Sequence, residues 1–487
     1  MLHSTTSNLP LYIDFYELTM AQSYFKANQH HHKATFDMFV RKIPQSGGYM
    51  VFNGLHQFIE LVKNFSFEKT HIDYLSSTGY FDDDFLEYLA TLTLSLDIQA
   101  MPEGSVCFAN EPLVTIHGNI IEAQLMETLL LASLNYPTLV TTKASRIKNV
   151  AFNKTLMEFG ARRAHGFDAG VLGARASFIA GFDSTSNTQA GQLYDIPVTG
   201  TIAHSFIQLF EDEYTAFLEY CKINPTNSVL LVDTYDTLRS GVPNAIKVAK
   251  EYLIPNGYSL KAIRLDSGDL AYLSKKARKM LDEAGLTSTK IIASNSLDET
   301  LIQELLNQNA AIDGFGIGES LITSKADPVI SGVYKLVAYQ QNEHMVAKIK
   351  ISDNIEKITN PGCKKVVRFY DKETNKALAD CLFLNDEIVP TDSFLLFDPN
   401  ATWKQKKISN YTIREMLVPI FTHGTCVYKI PTLQQTREYC ASEIESLYDE
   451  MKRLSFPHKY YVDLSLNLYN LRKQLIDSHQ QAKITQQ

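Results

Sequence analysis

Within residues 154–204 three short apolar runs each end in polar residues: Met157-Glu158-Phe159 before Arg162, 178–182 before Asp183, and 197–203 before His204. A guanidinium, a carboxylate and an imidazole brought together can bind an anion, balance a developing charge and move a proton or a phosphoryl group. An alanine-rich segment, 168–180, reads as a helix between the first two runs. Strand, polar tip, helix and strand in succession are the grammar of parallel α/β structure. Ligands of such sheets sit outside the carboxyl ends of the strands, so Arg162, Asp183 and His204 are expected to share one cavity.

Two later stretches add to this set. Arg264-Leu265-Asp266-Ser267-Gly268 ends another apolar run. Arg264 and Asp266 are two residues apart and so lie on one side of a strand. That pair suits an anionic substrate and a developing positive charge, although an Asp after a strand is often only a helix cap. Gly314-Phe315-Gly316-Ile317-Gly318 follows a late strand and precedes Glu319-Ser320-Leu321, which fits a phosphate cradle of backbone N–H groups at Gly316 and Gly318. Phe159 reads as core or as a stacking platform. Arg41 and Lys42 read as edge charges or as contacts to a phosphate-rich ligand.

The elements that must hold these residues follow from the same patterning. Apolar runs ending at Asp233, at Arg264 to Ser267, at Asn295 and at Gly316 to Glu319 alternate with helical segments 206–222, 243–253, 270–284 and 298–308. With the three opening runs this predicts about seven strands and an irregular or incomplete β/α barrel; an open doubly wound sheet is the alternative. No Walker or dinucleotide glycine fingerprint follows a first strand. Before the barrel, 12–25 reads as a helix that Asp14 can cap, 34–44 as a strand, 56–100 as helices and 120–152 as helical with a break at Pro137. After about 335, period-2 runs predict antiparallel β structure, then a helix over 433–454 and a polar, fraying tail. The expected organisation is an N-terminal α+β domain (1–133), the β/α barrel with the active site (134–334), and a β-rich segment (335–487) that returns to the first domain and ends in C-terminal helices. The fold class is α/β: an incomplete barrel inserted into an α+β, sandwich-like domain, with a C-terminal extension.

Composition narrows the function classes. The chain has 487 residues and a net charge of −8, with 45% hydrophobic residues. That supports large cores but not the basic footprint of nonspecific nucleic-acid binding. The six cysteines are scattered, with no zinc spacing, and read as free thiols in a reducing cytoplasm. No signal peptide and no membrane span are expected. The histidine tract at 29–33 and the acidic run at 81–85 read as a solvated turn and a solvated helix start, not as metal sites.

DFYELTM (14–20), FVRKIPQSGGY (39–49), FGARRAHG (159–166), GFDSTSN (181–187), GTIAHSF (200–206), RLDSGDL (264–270), GFGIGESLITS (314–324), GVYKLV (332–337) and FPHKYYVDLS (456–465) occur in order along nearly the whole chain. In these stretches the sequence resembles the nicotinate phosphoribosyltransferases, enzymes of the type II phosphoribosyltransferase fold. The resemblance implies that nicotinate and phosphoribosyl pyrophosphate give nicotinate mononucleotide and pyrophosphate, with ATP as co-substrate, Mg²⁺ as the expected metal and ligands unknown. It also implies a homodimer with shared sites. His204 then matches the histidine that ATP phosphorylates, and Asp266 the carboxylate at the ribose. Thr201 contacts substrate, Arg264 meets the pyridine carboxylate, and Phe159 and Arg162 match pocket positions. Tyr16 enters from the partner subunit, and Ser320 or Thr323 joins Gly316 and Gly318 at the phosphate. Glu319 stands where many relatives carry Thr, and it receives no ligand role, nor does Asp183. A nicotinamide-specific relative and an inactive phospho-sugar-binding barrel are the rival readings; a quinolinate-using relative is disfavoured by chain length.

Overall fold

A computed structural model of the chain describes residues 8–352, 354 and 357–485. The N-terminal residues read above for a targeting signal lie partly outside that range, as do the last two residues of the tail. The chain divides into two compact units, one of Met1–Thr142 with Val329–Gln487 and the other of Lys143–Pro328.

In the first unit both ends of the chain share sheets. The strand Lys33–Val40 pairs antiparallel with Val114–Asn119 on one side and with Gly332–Gln341 on the other. The first strand of the N-terminal half is therefore completed by the strand that follows the barrel. A seven-stranded sheet results, and a four-stranded sheet carries Lys364–Asp371, Ala377–Leu384 and Val462–Leu464. Apolar faces bury Phe36 against Tyr334, stacked at 4.7 Å between centroids, and Tyr334 donates its hydroxyl to the Ala123 carbonyl at 2.8 Å. Pro137 does not break the helical region. It lies inside the helix Glu127–Ala151, where the Thr141 hydroxyl donates to its carbonyl at 2.7 Å. The tail is helical over Leu466–Thr485, and the predicted helix 433–454 ends at Glu445, followed by a tight turn of helix at Asp449–Lys452. Asp14 stands at the N-cap of the helix Phe15–Lys26 but makes no side-chain capping bond.

The second unit is built on six parallel strands: β1 (Thr155–Glu158), β2 (Ser184–Thr185), β3 (Val229–Leu231), β4 (Ala262–Leu265), β5 (Lys290–Ala293) and β6 (Gly314–Ile317). Their order is β2-β1-β6-β5-β4-β3, so the sheet is a half-barrel with an open seam between β2 and β3. Two of the expected strands are not strands. Phe178 and Ile179 close the helix Phe167–Ile179, and Gly181 follows at φ 106°, a left-handed helix stop that a short apolar run disguises. The run 197–203 makes one parallel bridge, Thr185 with Val198, and then leaves the sheet; Pro197 has no N–H to offer a ladder. The helix expected over 206–222 is two helices, His204–Gln208 and Glu213–Ile223.

Glu17, on the helix that carries Tyr16, is fully buried and accepts the Thr128 amide at 3.2 Å as well as its hydroxyl. Burial pushes its carboxyl from 4.5 up to about 7. Between those two values the folded chain holds a proton that the unfolded chain has lost, so this residue's contribution to stability falls as pH rises through the window. Glu17→Gln should therefore flatten the loss of stability between pH 5 and 8 in urea unfolding. A variant as pH-dependent as the parent would contradict the assignment.

Candidate active site at the strand tips

Because the six strands are parallel, their carboxyl ends meet at one rim. Arg264, the penultimate residue of β4, gathers several groups of that rim. It donates from Nε to Ser294 Oγ at 2.9 Å, from Nη1 to Thr201 Oγ1 at 2.7 Å and from Nη2 to Asp266 Oδ1 at 3.0 Å. Its guanidinium carbon lies 5.8 Å from the Phe159 ring centroid. Ser294 also donates to Asp266 Oδ1, and the Asp266 amide donates to Asp233 Oδ2 at 3.0 Å. Ser267 Oγ reaches the same Asp233 oxygen at 2.6 Å, while Asp233 Oδ1 is buried without a hydrogen-bond partner. Asp266 is not the helix cap; Asp269 is, accepting the Tyr272 amide at 3.0 Å. The division of labour leaves the Asp266 carboxylate at the rim, with Oδ1 held by Arg264 and Ser294.

His204 opens its short helix instead of closing a strand. Its Nδ1 lies 3.1 Å from Thr234 Oγ1 and its Nε2 lies 4.0 Å from Asp266 Oδ2, with the imidazole 43% exposed. The extended segment before it lets Thr201 cross to Arg264. Arg162 is exposed in the single helical turn Ala161–Arg163 after β1 and has no partner among the described residues.

Asp183 does not join this group. β2 begins at Ser184, opposite Met157, so Asp183 precedes the strand and lies at its amino end. There it accepts the Leu156 amide at 2.9 Å and donates its own amide to the Leu156 carbonyl at 2.8 Å. Reading 178–182 as a strand had put its side chain at the rim, whereas it lies beside Leu156, short of the carboxyl ends.

The glycines of the last strand work by absence. A Cβ on Gly316 would stand 2.4 and 2.5 Å from Phe159 ring atoms, and one on Gly318 would stand 3.0 Å from the Phe159 carbonyl. The ring thus lies directly on the backbone of β6. Ser320 is buried in the next turn, and the Thr323 hydroxyl donates to the Glu319 carbonyl at 2.8 Å. Glu319 pairs with Lys325 at 3.0 Å and with Arg163 at 3.9 Å, and Lys325 chiefly holds its carboxyl below the usual range. At the tip of β5, Asn295 and Ser296 both take positive φ, 86° and 48°, a conformation that non-glycine residues adopt mainly where function or tight packing demands it. Sequence reasoning missed Thr234, Ser294 and the buried Glu158, whose neighbours are known only once the strands are ordered. Tyr16 belongs to the other unit, where it is 45% exposed; burial and then Glu127 hold its phenol well above its usual range.

Carboxylate, imidazole and clamped guanidinium at the carboxyl rim of a parallel half-barrel, with a glycine-lined strand end beside them, define an α/β enzyme suited to an anionic aromatic substrate and a phosphate. Comparison with known proteins narrows this. Residues 11–135 match the N-terminal domain of nicotinate phosphoribosyltransferase, 154–382 the nicotinate phosphoribosyltransferase family, and 363–472 its C-terminal domain. The chain is 45% identical to a nicotinate phosphoribosyltransferase of Bacillus subtilis (strain 168), over 96% of this chain and 95% of that one. It is 31% identical to a Homo sapiens nicotinate phosphoribosyltransferase over 95% of this chain and 96% of that protein. The crystal structure of human nicotinic acid phosphoribosyltransferase superposes with a TM-score of 0.79 at 29% identity, covering 95% of this chain and 99% of that one. The chain belongs to the nicotinate phosphoribosyltransferase family.

The contact between Gly316 and Phe159 yields a stability prediction. Gly316→Ala forces the ring or β6 to move and should cost about 1–3 kcal/mol as overpacking, read as a lower urea midpoint. An unchanged midpoint would mean that the ring does not rest on β6.

Proposed function

We propose that this chain joins nicotinate to phosphoribosyl pyrophosphate, giving nicotinate mononucleotide and pyrophosphate in NAD salvage, with ATP hydrolysis coupled to the transfer. The observation that carries this reading is the Arg264 guanidinium fixed beside the Phe159 ring by Thr201, Ser294 and Asp266. Three acceptors hold it and leave terminal N–H groups for a carboxylate, the group that distinguishes nicotinate from nicotinamide. Phe159 supplies a face for the pyridine ring.

In the reaction the pyridine nitrogen forms a bond to C1 of the ribose as the bond from C1 to pyrophosphate breaks, and the electron pair leaves with pyrophosphate. The transition state resembles an oxocarbenium ion, and Asp266 stabilises it as a fixed carboxylate. Gly316, Gly318, Ser320 and Thr323 are proposed to receive the 5′-phosphate. His204 is proposed to take the terminal phosphoryl group of ATP, with Thr234 fixing the ring from its Nδ1 side. The phosphohistidine adds about two negative charges, which would reorder nearby loops and tighten phosphoribosyl pyrophosphate binding.

Among the described residues no group of three or more His, Cys, Asp or Glu is arranged to hold a metal. Mg²⁺ is proposed to arrive with the phosphates, and the residue that would hold it is Asp233, whose Oδ1 is buried without a hydrogen-bond partner. Bound there, it would neutralise phosphate charge. A homodimer with shared sites is part of the proposal, with the exposed Tyr16 reaching the partner's rim; the first unit also holds a cavity of about 730 Å³. Arg41, Lys42 and Arg472 line this cavity, and the Arg41 and Arg472 Nε atoms are buried without acceptors. Six free cysteines support a cytoplasmic location, and no helix among the described residues is long and apolar enough to cross a membrane.

The test is product formation from nicotinate or nicotinamide with phosphoribosyl pyrophosphate and Mg²⁺, with and without ATP. Nicotinate mononucleotide should form and should increase with ATP. His204→Ala should lose the ATP stimulation, and Asp266→Asn should lower kcat by about 10²–10³. Product from nicotinamide alone would overturn the specificity. No product from either with folded protein would favour an inactive phospho-sugar-binding barrel. A His204→Ala enzyme that responds to ATP as the parent does would overturn the phosphohistidine step.

A further inference from the structure

Glu158 is the last residue of β1 and is fully buried, yet no basic group pairs with it among the described residues. A buried carboxyl is costly unless its oxygens are satisfied. Here one oxygen accepts the Gly160 amide and the other accepts the Thr185 hydroxyl at 2.6 Å. Burial drives the carboxyl upward, and the two donors oppose it. Thr185 Oγ1 also accepts the Asn187 amide at 3.0 Å, so its hydroxyl proton is free to point at Glu158. The backbone carbonyl of Glu158 takes the Ser186 amide at 2.8 Å. Glu158 thus ties the turn after β1 to the tip of β2 through both its side chain and its backbone.

That turn carries Phe159 and Arg162. The Phe159 amide donates to the Ile317 carbonyl at 2.8 Å, and the next amide is the one that Glu158 holds. Little slack remains. A Cβ on Gly160 would stand 2.8 Å from Glu158 Oε1 and 2.6 Å from Ile322 Cβ. An apolar residue in place of Glu158 would fill the space but would leave the Gly160 amide and the Thr185 hydroxyl unpaired. We infer that Glu158 is a positioning residue for nicotinate recognition. It holds the turn that sets the Phe159 ring against Gly316 and beside Arg264, and so fixes where the pyridine stacks. The inference rests on the function proposed above and adds a specificity element buried behind the substrate pocket.

Kinetics with nicotinate and phosphoribosyl pyrophosphate varied separately test it. Glu158→Ala should raise the KM for nicotinate about tenfold, with kcat and the KM for phosphoribosyl pyrophosphate within about threefold of the parent. Glu158→Gln should recover most of the loss, because its oxygen still accepts from Gly160 and its amide can donate to Thr185 Oγ1. A folded Glu158→Ala enzyme with the parental nicotinate KM overturns the inference, as does an equal loss for both substrates or a Gln variant as impaired as Ala. If Glu158→Ala does not fold, Thr185→Val decides: a nicotinate KM raised roughly threefold supports the inference, and an unchanged one overturns it. Hydrogen exchange separates this inference from the function proposal. Whatever the parent does with nicotinate, Glu158→Ala or Thr185→Val should speed exchange of the amides at 160–163, and parental protection there would overturn the positioning role.

Discussion

The guanidinium of Arg264 is the constraint on which the rim depends. One planar group reaches the segment before His204 through Thr201, the tip of β5 through Ser294 and the end of its own strand through Asp266. Its planar fork makes these contacts directional, and its charge is permanent. The contacts are made within the chain itself, and groups fixed in this way need little reorganisation when charge develops beside them. Asp266 is held by the same guanidinium and by Ser294, which orients it close to His204.

The half-barrel explains why such a clamp is needed. The seam between β2 and β3 is open, and the chain between them leaves the sheet after one bridge at Val198. Thr201 and His204 therefore have no ladder to hold them, and side-chain bonds to Arg264 and Thr234 take that role. On the far side of the rim, β6 uses glycine so that Phe159 can lie on the backbone. The bare backbone at Gly316 and the Arg264 cation 5.8 Å from the centroid leave the aromatic ring in a defined position.

Much of this was legible in the sequence because strand tips in a repeating βα pattern are polar at regular spacing. Arg264, Asp266, the glycines of β6 and the return of the C-terminal strands to the first unit followed from period and spacing. Asp183 did not, because Gly181 and Phe182 form a helix stop and an anchor that mimic the end of a strand. The split helix at 209–212 and the unbroken helix through Pro137 were equally hidden, since neither leaves a periodicity signal. Glu158, Thr234 and Ser294 gain their meaning only from neighbours about 27–30 residues away in the chain. No local pattern carries that information.

The most direct measurement is steady-state kinetics of Arg264→Lys with nicotinate. Lysine keeps the positive charge but cannot make the forked contacts to Thr201, Ser294 and Asp266 while also facing a carboxylate. The account predicts a fall in kcat/KM for nicotinate of at least about 10²-fold in a protein that remains folded. A folded Arg264→Lys enzyme with parental kcat/KM for nicotinate would contradict it, because the charge alone, without the clamp, would then suffice.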